Sequence, residues 1–116
     1  MADRKVSEFL AMQHALCEKH GWGPRLPENG DKSLLYGIGE AGEIIAILKK
    51  KGAAAVMENP AVRAHFVEEV ADTFMYLYDM MECFGITAEE FSDAYTAKFE
   101  RNMGRTWEEN RKLYED

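Results

Sequence analysis

The sequence predicts an all-α protein: an antiparallel bundle of four main helices plus a short C-terminal helix, completed by oligomerisation. Three observations carry that expectation. Apolar residues recur three and four apart along nearly every segment. Helix start and stop signals separate those segments. No segment alternates at period two for long enough to make a strand.

The first helical stripe is Val6, Phe9, Leu10, Gln13, Leu16 and Cys17. Gly21, Gly23, Pro24, Pro27 and Gly30 then break the chain into a loop. Asp31 is the expected N-cap of a second helix, whose stripe runs through Leu34, Leu35, Ile38, Ala41, Ile45 and Leu48. Lys49, Lys50 and Lys51 before Gly52 place cations at the negative end of its dipole and a stop signal after it. Asn59-Pro60 supplies a cap and a proline at the first helical position. The stripe that follows, from Val62 through Phe66, Val70, Leu77 and Met81, continues to Gly85. That helix is about 36 Å long at roughly 1.5 Å per residue. Thr87 with Glu90 reads as a capping box opening a helix that ends at Gly104, with Phe91, Ala94, Tyr95 and Phe99 on one face. Thr106 with Glu109 reads as a second box, opening a short tail helix that Trp107 would pin. Phe74, Met75, Tyr76, Tyr78, Met80 and Met81 spread apolar surface around the long helix, which predicts a homodimer or homotetramer.

A chain of 116 residues is expected to be a single domain, 1–116, large enough for a core without staples. The formal net charge of −7 argues against a nucleic-acid surface. It does not exclude a phosphate substrate, because a bound cation inverts the local sign of a site. No apolar stretch approaches the roughly 18 residues that cross a bilayer, and the N-terminus lacks a signal-peptide core. A cytoplasmic protein with no membrane partner is expected. Cys17 and Cys83 fall inside helical patterns and read as reduced, buried thiols.

Gly37-Ile-Gly39-Glu-Ala-Gly42 satisfies the GxGxxG spacing, but no strand precedes it and the apolar period runs straight through. A dinucleotide fold is therefore not expected. Each glycine costs on the order of 1 kcal/mol against alanine in a helix interior. Close packing of this helix on the long one is the expected reason for them.

Glu40 and Glu43 are three residues apart, as are Glu69 and Asp72, so each pair shares a helix face. Both pairs are embedded among apolar residues, where carboxylates repel unless they are protonated, paired or bound to metal. A solvated acidic face is the alternative that spacing leaves open. An all-oxygen donor set suits Mg²⁺, or Mn²⁺, whereas zinc and di-iron sites recruit histidine or cysteine. His14, Cys17 and His20 could suggest zinc, but Cys17 belongs to an apolar stripe. Lys98, Asn102 and Arg105 follow i, i+4, i+7 and combine a point charge, an amide donor and a planar fork suited to phosphate oxygens. Complementarity to the helix C-terminus is the simpler alternative. Trp22, His14 and Phe9 could frame a nucleobase or serve packing.

As a set, these motifs resemble the MazG-type all-α nucleoside triphosphate pyrophosphohydrolases. The shared elements are Gly39-Glu40-Ala-Gly-Glu43, then Glu69-Val-Ala-Asp72 with Tyr76 four residues on, then Lys98-Phe-Glu-Arg-Asn102-Met-Gly-Arg105. The resemblance covers roughly residues 31–105. It implies that Glu40, Glu43, Glu69 and Asp72 bind Mg²⁺. It also implies that Lys98, Asn102 and Arg105 contact the triphosphate, with Tyr76 among the substrate-binding residues; Trp22, which lies before the matched span, is the residue expected to stack on the base. Gly39 stands where the longer pattern has a glutamate, which is similar to small single-domain members such as dCTP pyrophosphatase. The implied reaction is hydrolysis of a nucleoside triphosphate to the monophosphate and pyrophosphate, by metal-activated water attacking the α-phosphorus. Glu40 or Glu43 is the implied proton acceptor. The rivals are a phosphoribosyl-ATP pyrophosphohydrolase and a non-catalytic helical interaction module.

Overall fold

The computed structural model describes residues 2–104 and residue 111. The tail helix expected from Thr106, with Trp107, lies outside the described residues, as does Arg105. The described chain is helical: α1 (Val6–His20), a 3₁₀ turn (Pro27–Asn29), α2 (Gly30–Lys51), α3 (Ala53–Glu58), α4 (Pro60–Cys83) and α5 (Ala88–Met103). It forms two compact units, Met1–Gly85 and Ile86–Asp116. No described helix is long and apolar enough to cross a membrane.

Local chemistry accounts for the boundaries. Asn59 Oδ1 accepts from the main-chain nitrogens of Ala61 and Val62 at 3.0 and 3.2 Å, with Pro60 in the first turn. Thr87 Oγ1 accepts from Glu90 N at 3.1 Å and starts α5. α2 begins one residue before the expected cap, at Gly30, and Asp31 Oδ1 instead accepts from its neighbour Lys32 N. Gly52 closes α2 at φ 84°, a left-handed value that favours glycine, and α3 starts immediately after it. The short α3 was not expected, because six residues between Gly52 and Asn59 carry too little periodicity to declare a helix.

In the first unit, α2 and α4 form the main pairing, and both α1 and α3 pack on α4. Side-chain meetings along the pair fix its register. A Cβ on Gly30 would collide with the Phe84 ring, and Ser33 bonds Asp79. A Cβ on Gly37 would lie 3.3 Å from Tyr76 Cβ and 3.7 Å from the Thr73 carbonyl. Glu40 meets Glu69 and Asp72. Rising numbers on α2 pair with falling numbers on α4, so the helices are antiparallel.

The close-packing expectation holds at Gly37 and fails at Gly39 and Gly42, where an added Cβ would meet nothing within 4 Å. The helical period explains the split. At about 100° per residue, Gly39 and Gly42 lie roughly 160° and 140° around the helix from Gly37. They face away from α4.

A buried polar network closes one end of this pairing. Asp79, 5 % exposed, receives Arg25 Nη1 on both oxygens at 2.8 and 2.7 Å. Ser33 Oγ donates to Asp79 Oδ2 at 2.5 Å, and Cys17 Sγ to Oδ1 at 3.3 Å. Removing one partner of such a buried pair typically costs about 3–5 kcal/mol, because the other charge is left uncompensated. Both cysteines are buried and free, as expected. Burial, followed by the hydrogen bond to Asp79, pushes the Cys17 thiol up to about 11, so it stays a thiol. The apolar core is small: Ile47, Val56 and Met81 are buried, while Phe74, Met75 and Phe84 remain exposed.

The contrast among the glycines is directly testable. Gly39→Ala and Gly42→Ala are each expected to stabilise the fold by up to about 1 kcal/mol. Gly37→Leu is expected to destabilise it by forcing α2 off α4. Denaturant unfolding checks all three; equal effects at the three positions would contradict the packing described.

Candidate metal and nucleotide site

The antiparallel register brings Glu40 of α2 opposite Glu69 and Asp72 of α4, and one carboxylate oxygen of each lies within 4.8 Å of the others. All three side chains are half-buried. The fourth carboxylate of the sequence-derived set, Glu43, is not part of this group. It is exposed and lines a neighbouring cavity. Glu40 points about 60° from the direction of Gly37, whereas Glu43 points about 120° from it and leaves the helix interface.

The cluster is short of donors. Glu69 Oε2 is buried with no hydrogen-bond partner among the described residues. Its other oxygen lies 3.3 Å from His65 Nε2, and Thr73 Oγ1 donates to the Glu69 main-chain oxygen at 3.0 Å. Glu40 is held above the ordinary carboxylate range, first by a hydrogen bond shared with the Glu69 carboxyl, then by loss of solvent, then by repulsion from Glu69, Asp72 and Glu43. Three carboxylates with an orphaned buried oxygen fit a hard divalent cation, which is bound by oxygen. Oxygens on a shared cation at about 2.1 Å can lie up to about 4.2 Å apart, so small side-chain rotations complete the set.

Tyr76 and Trp22 line one cavity of about 380 Å³ beside the cluster, with Tyr36, Lys32, Ser33 and Arg25. Tyr36 and Tyr76 are in tilted ring contact at 5.8 Å, and Trp22 stacks on His20 at 4.9 Å. Burial, then the charges of Glu40 and Asp72, raise the Tyr76 phenol and keep it neutral. Neither Phe9 nor His14 joins this wall. Phe9 stacks on Tyr78 at 5.9 Å, and His14 lies beside Glu18 and Glu82.

In the second unit, Lys98 and Asn102 share a face of α5 and line a cavity of about 340 Å³ with Tyr95, Phe99 and Met103. Sequence reasoning missed Arg25, Ser33, Tyr36 and Asp79. The signal for Asp79 was present, since it is an acidic residue within an apolar stretch between Tyr78 and Met80. Nothing local pointed to Arg25 as its partner.

At pH values between the ordinary glutamate range and the raised value of Glu40, the folded, metal-free protein holds a proton that the unfolded chain has lost. Its stability therefore falls as pH climbs from the ordinary glutamate range through the raised value. Glu40→Gln, whose amide donates to Glu69, is expected to melt higher than wild type without divalent cations at neutral pH. The same variant is expected to gain less from added Mg²⁺. Calorimetry with and without Mg²⁺ checks both, and a metal-free variant that melts lower than wild type would contradict the repulsion described.

No curated protein matches the chain. No solved structure matches it either. A family model described as dATP/dGTP pyrophosphohydrolase matches residues 37–116, a span that takes in the three clustered carboxylates, Tyr76, Lys98 and Asn102. The chain belongs to the dATP/dGTP pyrophosphohydrolase family, a family of nucleotide pyrophosphohydrolases.

Proposed function

We propose that this protein is a Mg²⁺-dependent pyrophosphohydrolase that converts a purine deoxynucleoside triphosphate, dATP or dGTP, to its monophosphate and pyrophosphate. The observation that carries this reading is the trio of carboxylates on α2 and α4 beside an aromatic-walled cavity. The family description, which names dATP and dGTP, supports that choice of base and sugar.

Glu40, Glu69 and Asp72 would hold the cation, with Mn²⁺ as a substitute. When bound, it offsets phosphate charge and makes water more acidic. A glutamate of α2, Glu40 or Glu43, accepts the proton of the attacking water. The water oxygen bonds to the α-phosphorus as the bond from that phosphorus to the bridging oxygen breaks, and pyrophosphate leaves with the electron pair. Trp22, Tyr36 and Tyr76 offer ring faces to the base. Lys98, Asn102 and Arg105 contact the triphosphate by family resemblance. The exposed apolar residues Phe74 and Met75 support association as a homodimer or homotetramer.

Incubation with Mg²⁺ and a panel of nucleotides in ¹⁸O-labelled water tests the reading. dATP and dGTP are expected to give label in the monophosphate, with pyrophosphate as co-product. Label in orthophosphate with a diphosphate co-product would overturn attack at the α-phosphorus. No product from any nucleotide would favour an interaction module. A kcat about 100-fold lower in Glu43→Gln, with Mg²⁺ still stabilising the fold, assigns the base to Glu43, and an unchanged kcat assigns it to Glu40.

A further inference from the structure

The acidic cluster lies between two cavities along the α2–α4 groove. The aromatic-walled cavity adjoins the start of α2 and the end of α4, at Ser33 and Asp79. A second cavity of about 280 Å³ adjoins the end of α2 and the start of α4, lined by Glu43, Ile47, Lys50, Lys51, Val62 and His65. The antiparallel register makes the order linear. Ser33, Glu40 and Ile47 succeed one another along α2 at steps of about two turns, or roughly 10 Å. Asp79, Asp72 and His65 succeed one another in the opposite sense on α4.

The two cavities differ in chemistry. The first has three aromatic walls, Trp22, Tyr36 and Tyr76, with one lysine, Lys32, and an arginine committed to Asp79. The second contains no aromatic ring other than the imidazole of His65, and it sets two consecutive lysines against one carboxylate, Glu43. Neither Lys50 nor Lys51 has an ion pair among the described residues, although the chain carries 21 acidic residues against 14 lysines and arginines. Cations at a helix C-terminus offset the dipole, which accounts for their charge. It does not account for their place on a cavity that opens beside three carboxylates on the same groove.

We propose that the groove binds its substrate in one direction: base in the Trp22–Tyr36–Tyr76 cavity, α-phosphate at Glu40, Glu69 and Asp72, and distal phosphates in the Lys50–Lys51–His65 cavity. This inference rests on the pyrophosphohydrolase reading and extends it by assigning the leaving-group end. The reverse orientation would put the base where no large ring can stack on it. In the assigned direction the electron pair of the breaking bond leaves on pyrophosphate beside two point charges, which stabilises the departing anion. These lysines act in addition to the α5 residues implied by the family resemblance.

The test uses the full chain with Mg²⁺ and the Lys50→Ala/Lys51→Ala double variant, both changes being at exposed positions. Steady-state kinetics with dATP and dGTP are combined with calorimetric binding of pyrophosphate and of dAMP. The double variant is expected to raise KM and weaken pyrophosphate binding by about tenfold each, a loss of roughly 1.4 kcal/mol, with dAMP binding unchanged. Trp22→Ala is expected to do the converse, weakening dAMP and sparing pyrophosphate. An active double variant with unchanged KM and pyrophosphate affinity would overturn the orientation alone. The orientation also falls if the double variant weakens dAMP instead, or if wild type fails to bind pyrophosphate. Absence of turnover by wild type would overturn the pyrophosphohydrolase reading, and the binding measurements would still judge the direction.

Discussion

The antiparallel contact of α2 with α4 at Gly37 is the constraint on which the rest of the molecule depends. A Cβ at Gly37 would already sit 3.3 Å from Tyr76 Cβ and 3.7 Å from the Thr73 carbonyl, so alanine would press on α4 by a few tenths of an ångström and any larger side chain would hold the helices apart. Once that approach is set, the register follows. Ser33 reaches Asp79, and one helical turn beyond Gly37, Glu40 reaches Glu69 and Asp72. A larger residue at Gly37 would therefore disturb the packing of the helices and the spacing of the carboxylates together.

The same pair of helices treats its buried acids in two ways. Asp79 is neutralised from within the chain, by Arg25 from the loop after α1 with Ser33 and Cys17 filling its remaining acceptor sites. It is fully committed and has nothing left to offer a ligand. Two turns earlier on α4, Asp72 and Glu69 face Glu40 instead of a cation, with His65 beside Glu69 and one Glu69 oxygen lacking a donor among the described residues. That difference separates a structural charge from a group arranged to bind something. It also explains why a protein with an acidic surface can be a nucleotide enzyme: the cation bound at the trio would offset both the carboxylates and the phosphates.

Much of the fold is legible in the sequence because its signals are local. Asn59-Pro60, Thr87 and the lysines before Gly52 mark helix ends by chemistry acting within one turn. The ExxE and ExxD pairs are legible for the same reason, since a helical face follows from spacing. What was not legible depends on direction and distance. Glu43 shares a face with Glu40 by spacing, yet it falls off the α4 interface because each three-residue step rotates about 60°. Gly39 and Gly42 look like Gly37 in the sequence and differ only in azimuth. The Arg25–Asp79 pair joins positions 54 residues apart, so no local pattern could announce it. α3 is a single short stretch with no period to read.

The central claim is that the α2–α4 register builds a cation site from Glu40, Glu69 and Asp72. Anomalous diffraction from crystals grown with Mn²⁺, which takes the same oxygen ligands as Mg²⁺, tests it most directly. The predicted result is an anomalous peak within about 2.3 Å of an oxygen from each of the three carboxylates. A fully occupied peak elsewhere, or a peak that engages Glu43 but not Asp72, would contradict it.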